Sequence, residues 1–136
     1  MTIQAKINLD LEDTADDGTV TTKTIQVLLQ EASPFVITNA YNDNLNKKGN
    51  SVCIGGVIED LIGNVIFSPR NIKDQIDAAS NGMDALVTLY KEVDRFCKSP
   101  KAYKLKQVQE ESKAESPILG EGVEQSNTVT NETVNA

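Results

Sequence analysis

The carboxylates near the amino terminus form the densest group of side chains in this sequence that a metal ion could bind. They are Asp10, Glu12, Asp13, Asp16 and Asp17. When Gly18 is placed at the turn glycine of a calcium-binding EF-hand loop, Asp13 falls at the first ligand position. Ala15 then falls at the third position and Thr24 at the last, where the loop needs a bidentate Glu. The pattern therefore predicts a solvated hairpin loop, with weak, unspecific cation binding as the alternative.

The remaining residues give little support for nucleophilic or acid–base catalysis. The sequence contains no histidine, which excludes a Ser-His-Asp triad, a Cys-His pair and any metal site that uses histidine. Cys53 and Cys97 belong to no C-x-x-C pair, and we expect both to be small, buried apolar residues. Carboxylate pairs that could exchange protons lie on helix faces predicted to be solvated: Glu59 with Asp60, and Glu92 with Asp94. We therefore expect no enzyme activity, no cofactor and no metal ion.

The charge distribution opposes binding to nucleic acid or to an anionic membrane. The formal net charge is −7, whereas both of these partners need clustered Lys and Arg. One basic cluster surrounds Tyr103 and consists of Lys98, Lys101, Lys104 and Lys106. It could contact a phosphate group, but we favour the simpler interpretation of a solvated helix end. No phosphate-binding glycine loop is present, since Gly55 and Gly56 lie inside an apolar helical run.

No segment of the sequence predicts insertion into a membrane or export across one. The apolar runs are too short, and too often interrupted by charge, to cross a bilayer. Residues 1–6 contain no basic segment that leads into an apolar one, so we expect no signal peptide.

Two alternating segments predict a β-hairpin over residues 3–30. The odd-numbered residues from Ile3 to Leu11 are apolar and alternate with polar ones, and a second alternation surrounds Val27. The acidic segment between them ends in Asp17-Gly18, a pair typical of hairpin turns. Because two strands alone are only marginally stable, we expect one face of the hairpin to pack on helices.

Each of the four prolines follows a serine. The pairs are Ser33-Pro34, Ser68-Pro69, Ser99-Pro100 and Ser116-Pro117. A serine can cap a helix, and a proline at the next position gives up only an N–H group that has no helical partner. The first three pairs therefore predict helix starts, with phosphorylation as the weaker alternative. No periodic pattern follows the fourth pair, so it predicts a loop.

Four helices follow from the spacing of apolar residues. The first spans residues 34–45, and the second, capped by Ser51, follows the apolar residues from Ile54 to Val65. Gly55 and Gly56 within it predict close helix packing, and Gly63-Asn64 either continues the helix or ends it, leaving residues 65–67 extended. A short helix follows from residue 69. The last spans residues 83–98 with an apolar stripe of Met83, Leu86, Val87, Tyr90, Val93 and Cys97, widened by Leu89 and Phe96.

These elements predict an α+β fold with a disordered carboxyl-terminal tail. We expect a β-hairpin over residues 1–31 and a mainly helical segment over residues 32–106 that packs with it as one globular unit. Residues 107–136 form an acidic, low-complexity tail with too little apolar surface to offset the entropy of ordering, although residues 107–115 could extend a charged helix. The stripe of residues 83–97, with Tyr103, could dock a partner helix, but we favour its assignment to the core.

The middle of the chain resembles a known protein family. An apolar helix that includes residues 58–62 is followed by residues 64–70, with the sequence NVIFSPR, by a polar link through Asp74 and Asp77, and by an amphipathic helix over residues 86–96. This order is similar to that of the short tail assembly chaperones of bacteriophages, of the siphophage type that infects Gram-positive hosts. In that family a helix, an NVI-x-x-P-R segment, an acidic link and a second helix recur. The resemblance covers about residues 20–100.

The resemblance implies a function in virion morphogenesis. A member of this family would act in the host cytoplasm and stay out of the finished virion. It would coat the hydrophobic helices of the tape measure protein, keep them soluble and help the tail tube subunits to polymerise. The implied partners are thus the tape measure protein and the tail tube protein, and self-association is compatible with this function. Several such families also make a longer product by frameshifting, which would change the tail after Ser116.

Two other functions remain open from the sequence alone. The first is a minor structural protein of a phage virion, such as a head–tail connector or another tail component. The second is a small adaptor that binds a host protein through the helix of residues 33–45 or through the acidic tail. Neither alternative requires catalysis, and each would place the functional residues on a binding surface.

Overall fold

The computed structural model describes residues 2–46 and 51–119, and within them the chain has the predicted α+β fold. The elements in chain order are β1 (Gln4–Thr14), β2 (Val20–Gln30), α1 (Pro34–Asp43), α2 (Ile54–Leu61), β3 (Ile66–Ser68), α3 (Ile72–Ala78), α4 (Gly82–Lys98) and α5 (Pro100–Leu119). The chain divides into two compact units, Met1–Lys101 and Ala102–Ala136. The domain boundaries inferred from composition stay predictions.

The hairpin forms with the predicted pairing. β1 and β2 are antiparallel, with Ala5 opposite Leu29 and Leu9 opposite Ile25. The turn closes through a hydrogen bond of 2.9 Å from the Gly18 N–H to the Ala15 carbonyl. Gly18 has a φ of 90°, a left-handed conformation that glycine adopts without steric cost. The alternation in the sequence and the Asp-Gly signal therefore both identified real features.

A third strand joins the sheet from the middle of the chain. β3 pairs antiparallel with β2, so the strand order is β1-β2-β3. α2 ends at Leu61, and Gly63, with a φ of 91°, turns the chain back toward the sheet. Val65 and Ile66 are fully buried there. Of the two outcomes open at Gly63-Asn64, the structure thus has the one in which the helix ends and an extended segment follows.

A loop between α3 and α4 covers part of the outer edge of β1. The Asn81 side chain donates to the Asp10 carbonyl at 3.0 Å and accepts from the Glu12 N–H at 2.8 Å, much as a neighbouring strand would. The Ser80 N–H donates to the Glu12 carbonyl at 2.7 Å. These bonds satisfy backbone groups of an edge strand that would otherwise need water or another chain.

The serine–proline pairs mark helix starts at two of the three predicted positions. Ser33 caps α1 by accepting a hydrogen bond of 3.2 Å from the Phe35 N–H, and Ser99 directly precedes Pro100, the first residue of α5. The prediction is wrong at Ser68-Pro69, which has a cis peptide bond and follows β3, while α3 begins only at Ile72. A serine–proline pair ends an extended segment as readily as it begins a helix, because proline fixes only φ.

Two further boundary predictions need correction. Ser51 does not cap α2, because the helix starts two residues later than that cap would require and Cys53 occupies the N-cap position. Ser116-Pro117 lies within α5 and not in a loop, since that helix continues to Leu119. The predicted disorder of the rest of the tail concerns residues 120–136, which lie outside the described residues.

The core lies between the sheet and the helices, with α4 packed against β1. The inward residues of the hairpin, Ala5, Ile7, Leu9, Leu11, Val27 and Leu29, are buried. So are Ala85, Leu89, Val93 and Phe96 along one line of α4. Each large side chain that leaves water in this way contributes roughly 1.5–3 kcal/mol before the entropy of ordering is subtracted.

The predicted centre of the apolar stripe on α4 is wrong. Met83 is 73% exposed, and Leu86, Val87, Tyr90 and Cys97 are only half-buried. The buried line lies about a quarter turn further around the helix, at 100° per residue. Both lines are apolar because α4 packs against β1 and also against α2 and α3, and Leu86 of the predicted stripe lies beside these two helices.

Candidate partner-binding surface

The acidic residues of the hairpin stabilise the hairpin itself. Asp10 accepts a hydrogen bond of 2.6 Å from the Thr24 hydroxyl on the opposite strand. Asp17 accepts one of 2.9 Å from the Thr19 N–H, and this bond lowers the pKa of the Asp17 carboxyl. Within residues 2–46 and 51–119, no three His, Cys, Asp or Glu residues gather where they could hold a metal ion. Asp10 and Asp17 thus have a local structural role.

The two cysteines are free thiols in different surroundings. Cys53 is exposed, contrary to the prediction, because the N-cap position of α2 places it at the protein surface. Cys97 is half-buried, and burial, reinforced by the nearby Asp94 carboxylate, raises the pKa of its thiol to about 12. A thiol with so high a pKa is a poor nucleophile at neutral pH.

Of the predicted carboxylate pairs, Glu92 and Asp94 are engaged in structural contacts. Asp94 accepts a hydrogen bond of 2.7 Å from the Tyr41 hydroxyl and forms an ion pair of 3.0 Å with Lys98. Glu92 pairs with Arg95 at 2.8 Å. Burial, and then the hydrogen bond to Asp94, raise the pKa of Tyr41. These groups join α1 to α4 and stabilise the end of α4, where basic side chains also complement the helix dipole.

The segment of residues 64–70 is a structural joint between α2 and α3. The Asn64 side chain donates to the Asp60 carbonyl at 3.1 Å, closing the turn after α2. The Arg70 Nε donates to the Phe67 carbonyl at 3.2 Å. Val65 and Ile66 fill the core between these two polar ends. These residues, which carry the family resemblance, therefore position β3.

The first turn of α1 exposes two large apolar side chains, and the whole helix is almost uncharged. Phe35 is 79% exposed, the highest value among the exposed large apolar residues of the described chain. Val36, next to it, is 37% exposed, and Asp43 is the only charged residue of the helix. Only Ala40 of this helix is buried. A helix that exposes an aromatic ring and carries so little charge is unusual in a chain with a net charge of −7.

The inner face holds α1 firmly in place. The Asn44 amide donates to the Ala40 carbonyl at 2.7 Å and to the Asp60 carboxylate at 2.9 Å. It lies so close to Gly56 that a Cβ atom on that glycine would clash with it. The Tyr41 ring meets the Tyr90 ring edge to face, with centroids 6.4 Å apart. These contacts anchor the carboxyl-terminal half of α1, and the Ser33 cap closes its first turn, where Phe35 is exposed.

A small apolar cleft opens between α2, α3 and α4. Its volume is about 130 Å³, and its walls are Ile58, Ile76, Leu86 and Gly55. Charged side chains stand at its rim: Glu59 on α2, and Lys73 and Asp77 on α3. Lys73 and Asp77 form an ion pair of 3.3 Å, and that bond, with Glu59 nearby, raises the pKa of the Lys73 ammonium group.

The sequence contains a pattern that could have identified the exposed surface of α1, but no pattern that identifies the cleft. Phe35, Asn39 and Asn42 lie on one helical line, so an aromatic residue stands alone on an otherwise polar face. That isolation, combined with the Ser33-Pro34 start, marks Phe35 as an exposed aromatic. The cleft depends on the distance between α2 and α4, which no local pattern encodes.

Two further observations, on membrane-spanning helices and on similarity to other proteins, identify no additional functional feature. Among the described residues, no helix combines the length and the apolarity needed to cross a bilayer. No protein-family model, curated protein or solved structure matches this chain. The surface of α1 and the cleft beside α4 are therefore the features from which its function is inferred.

Proposed function

We propose that this chain is a non-enzymatic tail assembly chaperone of a bacteriophage, which acts in the host cytoplasm. It binds apolar helices of the tape measure protein, keeps them from aggregating and assists polymerisation of the tail tube. The observation that supports this proposal best is the exposed, nearly uncharged turn of α1, where Phe35 and Val36 face solvent. The order of elements over residues 58–96 is consistent with the family resemblance.

The size of this patch suits weak and repeated binding. Burying one Phe side chain against a partner contributes roughly 1.5–3 kcal/mol. A stable interface needs roughly 800 Å² on each partner, whereas one aromatic residue supplies roughly 150–250 Å². Many copies of the chain, each bound through its Phe35 ring, would therefore cover a long apolar helix of the tape measure protein. They would dissociate from it again as the tail grows. The net charge of −7 per copy would keep such a complex in solution.

Co-expression with the tape measure protein of the same phage tests the proposal. The wild-type chain should raise the soluble yield of that protein and co-purify with it. Phe35→Ser should lose most of this effect, because it removes the exposed ring without disturbing the core. Val20→Ser is the matched control, since Val20 is also an exposed apolar residue, at 53%, but lies on the hairpin. It should retain the wild-type effect.

Four outcomes would contradict the proposal. The first is a soluble yield that the wild-type chain does not change, and the second is an equal loss for both variants. The third is stoichiometric recovery of the chain in purified virions, which would indicate a connector or tail component. Retention of a host protein, but not of the tape measure protein, by a column carrying the wild-type chain would indicate an adaptor.

A further inference from the structure

The cleft between α2, α3 and α4 is large enough to hold one side chain. Small-molecule sites commonly measure about 300–1,000 Å³, well above the 130 Å³ found here. Its walls are aliphatic, and Gly55 leaves one of them open because it has no side chain. A Cβ atom at that position would lie 3.9 Å from the Leu86 side chain, so a methyl group fits and would narrow the cleft.

The rim of the cleft carries an excess of negative charge. Glu59 and Asp77 stand beside it, and Asp74 lies close enough to influence the Lys73 ammonium group. Among the described residues at this rim, three carboxylates thus surround one cation, which is already paired with Asp77. An apolar side chain accompanied by Lys or Arg would therefore be attracted to this site, and one accompanied by Asp or Glu would be repelled.

α5 supplies a side chain of this description. Leu105 is 60% exposed and Val108 is 47% exposed, and the two are neighbours on the helix surface because they lie three residues apart. Lys101 stands one turn before Leu105, and Lys104 and Lys106 flank it in the sequence. These three lysines belong to the basic cluster around Tyr103. Lys98 of that cluster pairs with Asp94, whereas the fold and the proposed chaperone function as described give the other three no role.

We propose that Leu105 of one copy of the chain inserts into the cleft of a second copy, with the lysines around it facing the acidic rim. The two surfaces in this contact differ, so it is heterologous. The copy that inserts its leucine keeps a free cleft and the receiving copy keeps a free leucine, so the contact extends into rings or open chains of copies. One side chain makes a small interface, so the association is weak and depends on protein concentration and on salt. This inference does not depend on the identity of any other partner.

Sedimentation velocity over a range of concentrations tests the proposal. The average mass of the wild-type chain should rise with concentration and fall with added salt. Leu105→Ser and Gly55→Ala should each weaken association about tenfold, because one removes the inserted group and the other fills part of the cleft. Glu59→Lys, an exposed change at the rim, should weaken it as well. Val20→Ser, at an apolar position outside both surfaces, should behave as wild type.

A mixing experiment distinguishes insertion between copies from any other arrangement. The Gly55→Ala chain retains Leu105, and the Leu105→Ser chain retains an open cleft. A mixture of the two, with one fluorescently labelled, should therefore form pairs under conditions in which each alone is monomeric. Circular dichroism spectra that match the wild type establish that the variants are folded. A wild-type chain that stays monomeric at all concentrations, variants that associate as the wild type does, or a mixture that forms no pairs would each overturn the proposal.

Discussion

The two neighbouring glycines of α2 face different joints of the molecule. Gly56 faces α1, where the Asn44 amide occupies the space that a Cβ atom would need. Gly55 faces α4, where the nearest side-chain atom is 3.9 Å from that position. One joint is closed and anchors a helix, and the other is open and leaves a cleft. A pair of glycines in a helix can thus serve close packing on one side and leave a cleft on the other.

Substitution at the closed joint, at Gly56, should change the free energy of unfolding most. Gly56→Ala is expected to lower the free energy of unfolding by about 1–2 kcal/mol, because the new methyl group displaces the Asn44 amide and breaks its hydrogen bonds. Urea unfolding measures this change.

The reason for that loss can be tested separately with Asn44→Ala. In that background the displaced group is absent, so the further change Gly56→Ala should be neutral or stabilising. If Gly56→Ala costs the same free energy in both backgrounds, Asn44 is not what closes the joint.

Substitution at the open joint, at Gly55, should change the free energy of unfolding in the opposite direction. Gly55→Ala is expected to raise the free energy of unfolding by about 0.5–1 kcal/mol, because alanine loses less backbone entropy than glycine in a helix and meets no clash here. The same urea titration measures it. A destabilisation would mean that the cleft is closed in solution and would remove the difference between the two joints.

The two cysteines differ in their exposure to solvent. Thiol labelling measures that difference without changing the stability of the chain. At pH 8 a thiol reagent such as DTNB should label the exposed Cys53 at least about tenfold faster than Cys97, whose thiol is half-buried with a raised pKa. Because that pKa is about 12, labelling of Cys97 should speed up as the pH rises above 8. Equal rates in the folded chain would contradict the placement of Cys97, and equal rates in urea are the control.

The elements that local patterns encode could be predicted from the sequence. Alternation over residues 3–11 and the Asp17-Gly18 turn were sufficient for the hairpin, since strand period and turn conformation are properties of neighbouring residues. The start of α1 followed from Ser33-Pro34 for the same reason. The candidate surface was not predicted: an isolated Phe35 is visible in the sequence, but its exposure depends on which side of α1 packs.

The errors concern features that only the packed chain determines. Met83 was assigned to an apolar stripe because α4 has two apolar lines, and the sequence does not say which of them is buried. Ser68-Pro69 follows a strand because Ile66 pairs with β2, a contact that joins distant parts of the chain. Cys53 was expected in the core because free cysteine is usually buried, yet its place at a helix start exposes it.

The loop that covers part of the edge of β1 also limits how copies of this chain can aggregate. Ser80 and Asn81 occupy the edge at Asp10 and Glu12, and their cover does not extend to residues 4–8. If that segment paired with itself in a second copy, Lys6 would lie at the centre of symmetry, directly opposite the partner's Lys6. Like charges in that position oppose strand pairing, as lysines on edge strands commonly do. A chain made in many copies, as the proposed function requires, would thus resist amyloid-like stacking, while reversible contacts through side chains remain open to it.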